Sequence, residues 1–448
     1  MAVTSAETRL PRVDSTAGVT GGVPGPARVI LVDVDELSAI DCEHSAGGLH
    51  DAVWVLAMRR GQPLGMVVIE AGTPTIEADE LERLLHEALG ETWHVDAPDE
   101  ADDMALPHAT VVVPTNVSRP QQLLTCVERL IDLDYPDLEI VVVDNRRTTE
   151  QGEDILASLT GLPRVHVVVE RRPGISAARN RGVAAATGEI VAFTDDDVEV
   201  DRRWLRALGR RFVEERRADA VTGLVVPKEL ETPAQLWFEQ SGSGLDGAYA
   251  RLSFELAAPD RAGGVPLGVP RFRVIRRVAN EALVSTGSLY ATGEFGIGCN
   301  MAFRTEALRS LGGFDEALGA GTPTHGGEDL AALIGLLADG RGLAYEPAAI
   351  VHHIHRRGTD ELERQLSGYG IGFTAMLVAL IRQDPRHLAG LLGMIPAALR
   401  LTLARSSAKQ SRRPVDYPSH LARRELRGMV GGPLAYARSR RAQRRWKA

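Results

Sequence analysis

Three consecutive aspartates, Asp195-Asp196-Asp197, follow the apolar run Ile190-Val191-Ala192-Phe193. Along an extended chain, residues i and i+2 face the same side, so Asp195 and Asp197 are expected to converge while Asp196 turns away. Two convergent carboxylates make a hard oxygen site of the kind that holds Mg2+ or Mn2+, ions usually bound by one or two carboxylates together with substrate phosphates. Such an ion neutralises the charge that develops on a diphosphate leaving group. The plainer explanation is an acidic turn capping the next helix; three aspartates at the end of a buried strand weigh against it. Two further clusters suit the same chemistry. Glu328-Asp329 opens an apolar helix that ends before Gly340, although a carboxylate in a first helical turn also serves simple helix-end stabilisation. In Val351-His352-His353-Ile354-His355-Arg356-Arg357, His353 and His355 share one face of a strand, and imidazole suits Mn2+ better than Mg2+. Arg356 has the fork geometry for bidentate contact with a diphosphate.

The elements that must position these residues are legible as an alternation. Apolar strand candidates at 110–113, 138–143, 165–169, 190–194 and 220–226 are interleaved with helix candidates at 121–131, 176–186 and 204–215. Ser176 is the expected cap of the second helix, and Gly188 lies just past its end. This order implies βαβ units and a mainly parallel sheet covered on both faces. Ligands of such sheets bind beyond the carboxyl ends of the strands. Those ends are Pro114-Thr115-Asn116, Asp144-Asn145, Glu170-Arg171-Arg172 and the Asp195 triplet. Residues 240–294 have little periodicity and read as an irregular lid or acceptor-selecting segment.

Taken in order, Val111-Val112-Val113-Pro114-Thr115, Glu139-Ile140-Val141-Val142-Val143-Asp144-Asn145, Gly174-Ile175-Ser176-Ala177-Ala178-Arg179-Asn180-Arg181-Gly182 and Thr194-Asp195-Asp196-Asp197 resemble the family 2 glycosyltransferases. So do Gly296-Ile297-Gly298-Cys299-Asn300 and Gly326-Gly327-Glu328-Asp329-Leu330 further on. The turn after the first strand departs from the family's usual Tyr-Asn-Arg pattern, running Asn116-Val117-Ser118-Arg119. The resemblance implies a GT-A nucleotide-diphospho-sugar transferase fold and inverting transfer from a nucleotide-sugar donor, most commonly a UDP-sugar. It implies donor contacts from Pro114, Thr115, Asp144, Arg179, Asp195, Asp196 and Asn300. Asp197, Asp195 and one of His353 or His355 would meet the metal, and Asp329, with Glu328 beside it, would be the general base. Inverting displacement needs one such base, which contributes on the order of 10²–10⁴-fold in rate. Two rivals remain. A sugar-nucleotide nucleotidyltransferase would carry a Gly-rich, Lys/Arg-bearing loop after the first strand, where this chain has Pro114-Thr115-Asn116-Val117-Ser118. A non-catalytic carbohydrate-binding protein on a transferase fold would not need the acidic triplet and the Glu328-Asp329 pair.

The chain is 448 residues long, 44% hydrophobic and 25% charged, with three widely spaced cysteines, Cys42, Cys126 and Cys299. These features suggest two or three globular domains, no disulfide framework and a reducing, cytoplasmic setting. Residues 1–26 lack an apolar run, so they read as disordered and carry no secretory signal. Residues 27–95 read as a small α/β module: a strand at 27–34, a hairpin joining 52–58 to 64–69, and a helix at 77–89. Residues 96–107 read as an acidic linker, 108–365 as the transferase domain, and 366–448 as a helical, basic region with helix candidates at 374–381 and 388–404. From Leu401 onward there are 13 Lys+Arg and 2 Asp+Glu, or +11; the whole chain is −9, so the first 400 residues carry −20. The basic tail can dock on the acidic body or make a peripheral contact with the inner face of a membrane. With few aromatics among its cations, it gives no sign of nucleic-acid binding. The acceptor is open among glycan, lipid-linked and small-molecule hydroxyls.

Overall fold

The computed structural model describes residues 25–44, 48–96, 105–146, 152–239, 249–257, 272–278, 284–290, 292–392 and 417–447. The expected disordered residues 1–24, most of the acidic linker and 393–404 of the last helix candidate lie outside the described residues. Contacts divide the chain into two compact units.

The first unit takes in the described residues up to Glu100 and the segment Glu229–Leu236. Its strands are β1 (Ala27–Asp33), β2 (Ile40–Asp41), β3 (Ala52–Arg59), β4 (Gln62–Glu70) and β5 (Thr75–Ile76), followed by helix α1 (Ala78–Leu89). β1 runs parallel to β3, and β3 pairs antiparallel with β4. The β3–β4 turn holds Arg60 at φ 50° and Gly61 at φ 84°, the two positive values that suit a tight hairpin to the twist of its strands. α1 buries Leu81, Leu85 and Leu89 in a core with Val53, Val55 and Val67, the i, i+4, i+8 stripe expected of an amphipathic helix.

The second unit is built on one mixed sheet. Its elements begin with β6 (Ala109–Thr115), α2 (Pro120–Ile131), β7 (Leu138–Asp144), α3 (Glu153–Thr160), β8 (Val165–Val169), α4 (Ile175–Ala185) and β9 (Ile190–Phe193). They continue with β10 (Val198–Val200), α5 (Trp204–Glu214), β11 (Ala218–Pro227), β12 (Leu252–Leu256), β13 (Arg273–Val278) and β14 (Val284–Ser288), while the short α6 (Pro233–Phe238) lies mostly in the first unit. Last come β15 (Met301–Arg304), α7 (Thr305–Ser310), α8 (Glu328–Ala338), β16 (Gly342–His353), α9 (Thr359–Gln383) and α10 (Ser419–Lys447). The strand order is β14-β13-β12-β16-β11-β15-β9-β6-β7-β8, with β10 added against β16. β8, β7, β6 and β9 are mutually parallel, as are β11 and β16; β15 lies antiparallel between the two groups. Every residue of β6 is buried, because α2 and α4 cover it from either side and its sequence is accordingly apolar throughout. Trp204, Leu208 and Phe212 of α5 join Val111, Val113, Leu123 and Leu130 in the core. Full burial of each aliphatic side chain contributes about 1.5–3 kcal/mol.

Two expectations need correction. The described parts of 240–294 are not irregular: β12, β13 and β14 extend the sheet as antiparallel strands. Arg273-Val274-Ile275-Arg276-Arg277-Val278 buries Val274 and Val278 while Arg273 and Arg277 stay at the surface, so the apolar period of this strand, paired on both sides near the end of the sheet, is interrupted by polar residues. Ser176 does not cap α4. The cap is Gly174 at φ 117°, without a side-chain bond, and the Ser176 hydroxyl donates to the Leu318 carbonyl at 2.8 Å. The three cysteines are buried and unpaired.

Candidate active site

Register delivers the acidic residues to one edge of the second unit. Thr115 pairs with Asp144 across β6 and β7, and Val112 pairs with Phe193 of β9, so the chain leaves β9 directly into Asp195. On the far side, β10 sets Val198 opposite His353 at the end of β16. The strand ends that carried charge in the sequence therefore surround one region.

Each aspartate of the triplet has its own partner. Asp195 accepts from Nη2 of Arg179 at 3.2 Å. Asp196 accepts from the Thr115 hydroxyl at 2.6 Å, whose oxygen in turn accepts from the Val117 N–H at 2.9 Å. Asp197 is bound by the Arg119 guanidinium, with Nη2 of Arg356 at 3.8 Å. Burial lifts the Asp195 carboxyl to about 6; Arg179 opposes the rise, while Asp197 and Asp196 add to it. Burial presses on Asp197 as well, but His353, Arg119 and Arg356 more than offset it and hold that carboxyl below its usual range. His353 is pushed down to about 4 by burial, against the pull of Asp197, and is neutral at physiological pH. An ionised carboxylate beside a neutral imidazole is a donor set that fits a divalent ion; Arg119 would have to give up Asp197 to admit one. The two histidines play different parts. Nδ1 of His353 and Nδ1 of His355 lie 3.1 Å apart, and Nε2 of His355 lies 2.9 Å from a Glu239 carboxylate oxygen. His353 is the one whose charge acts on Asp197, and His355 contacts it and is braced by Glu239.

Arg179 links the triplet to the second acidic pair. It is 1% exposed, and its Nη1 donates to Glu328 at 2.9 Å while Nη2 also donates to the Gly298 carbonyl at 3.1 Å. Its guanidinium carbon stands 6.0 Å and 5.7 Å from the ring centres of Phe193 and Phe314. Arg179, which the family resemblance gives as a donor contact, is a buried strut between Asp195 and Glu328. Burial raises the Glu328 carboxyl to about 7, with Asp329 adding to the rise and Arg179 opposing it. Asp329 is the more exposed of the pair: its Oδ2 accepts from the Gly298 N–H at 2.8 Å and its Oδ1 from its own neighbour's N–H, that of Leu330, at 2.8 Å. That clamp fixes its orientation at the start of α8.

Asp144 lies under a cover. Its carboxylate accepts from the backbone N–H and from Nε and Nη2 of Arg146 at 3.0, 2.9 and 3.1 Å. Burial alone would raise its pKa, but Arg146 holds it below the usual carboxylate range. Pro114 is a buried residue of β6. Asn300 corrects an expectation: it is fully buried, its oxygen accepts from Trp204 Nε1 at 2.8 Å, and its Nδ2 donates to the Leu224 and Ala349 carbonyls at 2.8 and 2.7 Å. With the amide spent on α5, β11 and the β16 strand, it staples the sheet and has nothing left for a donor. Arg119, Arg146, Asn145 and Glu239 were not foreseen. Asn145 donates to the Glu170 and Arg172 carbonyls at 2.7 Å each and accepts from the Gly174 N–H at 3.2 Å, fixing the entry to α4. Of the four, Arg119, Arg146 and Asn145 sit within five residues of a strand end, which was the available signal.

Residues 110–284 match the family model described as glycosyl transferase family 2. Among curated relatives, a pre-mycofactocin glycosyltransferase of Mycobacterium tuberculosis is 29% identical over 249 residues, covering 55% of this chain and 43% of the relative. The glycosyltransferase GlyG of Streptococcus pneumoniae is 28% identical over 185 residues, covering 40% of this chain and 60% of the relative. The chain thus spans about half the length of these relatives. Among solved structures, a mannosyltransferase from Pyrobaculum calidifontis in complex with GDP-Man and Mn2+ is similar at a TM-score of 0.44 and 20% identity, covering 75% of this chain and 89% of that one.

Proposed function

We propose that this chain transfers a sugar from a nucleoside-diphosphate donor to an acceptor hydroxyl with inversion, using a divalent cation. The observation that carries this reading is the hydrogen-bonded run Asp195–Arg179–Glu328, with Asp329 next in sequence and oriented by the Gly298 N–H. Asp197 and His353 would hold the ion, with Asp195 beside them; when bound, it would supply charge neutralisation for a departing diphosphate. Asp329 would take the proton of the acceptor hydroxyl. Arg179 keeps Glu328 and Asp195 at fixed separation, Glu239 keeps His355 against His353, and Thr115 turns Asp196 out of the way. Asp144 would reach a nucleobase once Arg146 turns aside. UDP-sugars are the first donors to test. The face of α10 is proposed as a peripheral membrane contact that would favour a lipid-linked acceptor. Among the described residues, no helix is long and apolar enough to cross a membrane.

The test is a panel of nucleotide sugars with Mn2+ or Mg2+, read by thermal shift and by release of nucleoside diphosphate. A donor should stabilise the protein only with metal, and Asp197→Ala should lose that response. Asp329→Asn should still bind donor while turnover falls on the order of 10²–10⁴-fold. Release of pyrophosphate would identify a nucleotidyltransferase instead. Donor binding without turnover, unaffected by Asp329→Asn, would identify a carbohydrate-binding protein.

A further inference from the structure

The first unit contains a second cluster of metal-ligating side chains, unrelated to the acidic edge. His44, His50 and Glu231 each direct one donor atom into a space where all three atoms lie within 4.8 Å of one another. Nε2 of His44 is 2.5 Å from Glu231 Oε2, and Nε2 of His50 is 3.4 Å from Glu231 Oε1, so both imidazoles address the same carboxylate. The backbone holds them there. Glu43 and Leu49 form an antiparallel bridge, the His44 N–H donates to the Gly48 carbonyl at 2.9 Å, and the His50 N–H to the Cys42 carbonyl at 2.9 Å. Glu231 comes from the segment that lies against β1: the Ala27 N–H donates to the Leu230 carbonyl at 2.8 Å, and Leu230 and Leu236 pack on Ala52 and Trp54. The Glu231 N–H donates to the buried Gln235 side chain at 2.9 Å.

One detail points to a cation. Nδ1 of His50 lies 3.2 Å from the Cys42 carbonyl oxygen, which can only accept, so that nitrogen carries the proton. In the neutral ring Nε2 then presents a lone pair to a carboxylate oxygen, and His50 itself is buried at 5% exposed while His44 and Glu231 are half-buried. In that tautomer Nε2 of His50 and Oε1 of Glu231, 3.4 Å apart, are both acceptors. A ring nitrogen fixed by a carbonyl behind it is also the usual support of a metal-bound histidine.

We propose that His44, His50 and Glu231 bind a divalent transition-metal ion, with Zn2+ the best match to two imidazoles and one carboxylate and a fourth position left to water. Tetrahedral Zn2+ with ligands at about 2.0–2.2 Å needs donor atoms roughly 3.3 Å apart, a shift of about an ångström or less for each of these side chains. The ion would fasten the loop after β2 to residues 229–236, which are some 180 residues distant in sequence.

The experiment uses the full chain carrying Asp197→Asn, so that the acidic edge does not contribute. After chelation, Zn2+ is titrated in and bound metal is counted by elemental analysis, while Co2+ is read by its visible spectrum. The expected result is one equivalent of Zn2+, a tetrahedral Co2+ band and a higher melting temperature with Zn2+. His44→Ala and Glu231→Gln should each weaken binding by more than about tenfold and abolish the thermal response. Glu231→Gln keeps the shape of the site, so it remains informative if His50→Ala fails to fold. Equal Zn2+ uptake by parent and variants would overturn the proposal. So would a parent that takes up no Zn2+.

Discussion

At the scale of the residue, Glu328 carries a testable signature. Its carboxyl, at about 7, is raised chiefly by burial and then by Asp329. The folded state therefore holds a proton that the unfolded chain, with an ordinary Glu near 4.5, releases. That contribution to stability is complete below about pH 4.5 and is lost as pH rises through about 7. Glu328→Gln, a neutral isostere, should thus melt close to the wild type at pH 5 and above it at pH 8; a variant equally displaced at both values would refute the assignment. The residues themselves were readable in the sequence: three aspartates after an apolar strand and an acidic pair opening a helix announce charge at strand and helix ends. Their partners were not. Arg179 reaches Glu328 across 149 residues, and His50 reaches Glu231 across 181, distances at which spacing carries no information. Asn300 was misread for the complementary reason: a polar residue inside a motif looks ligand-facing until burial shows that its hydrogen bonds are already used.

At the scale of the element, the packing of α9 against α10 rests on missing side chains. A Cβ at Gly428 would lie 2.3 Å from the Ser367 carbonyl oxygen, and one at Gly370 would lie 2.0 Å from that of Glu425. These helices approach backbone to backbone, and Thr374 seals the contact by donating to the Met429 carbonyl at 2.7 Å. Tyr436 ties α10 to the body by donating to Asp315 at 2.7 Å while accepting from Arg382 Nε at 3.1 Å. Gly428→Val should therefore destabilise by about 1–3 kcal/mol or separate the helices, since a rigid carbonyl cannot move aside. Gly431→Ala is the control: its added carbon meets only Ile371 Cγ1 at 3.9 Å, and replacing a mid-helix glycine should gain roughly 0.5–1 kcal/mol. Thermal denaturation of the two variants, moving in opposite directions, checks the crossing. The strand-helix alternation from 109 to 227 was legible because buried parallel strands are uniformly apolar. β12–β14 were not, because strands at the antiparallel end of the sheet bury only part of their residues and their polar positions broke the period.

At the scale of the whole molecule, charge and exposed apolar surface converge on α10. Leu426, Val430 and Leu434, spaced four residues apart, are 58%, 84% and 56% exposed. Arg423, Arg427, Arg441 and Arg445 are exposed on the same side of the helix. An apolar stripe framed by arginines is the pattern of a helix lying in a membrane interface, where side chains of this kind sink into the headgroup boundary. Each arginine near an anionic surface contributes about 1 kcal/mol, enough in sum to offset the repulsion expected from an acidic body. The protein should therefore sediment with phosphatidylserine vesicles at low salt, stay in solution with phosphatidylcholine alone, and release as ionic strength shortens the screening length below about 10 Å. Val430→Asp removes apolar area and adds like charge without touching the α9 face, so it should abolish sedimentation while leaving nucleoside-diphosphate release from a soluble acceptor intact. Binding that survives Val430→Asp but vanishes with salt would mean that the arginines act alone and the stripe is not inserted. Absence of binding even at low salt would leave the basic helix as a brace for the acidic body.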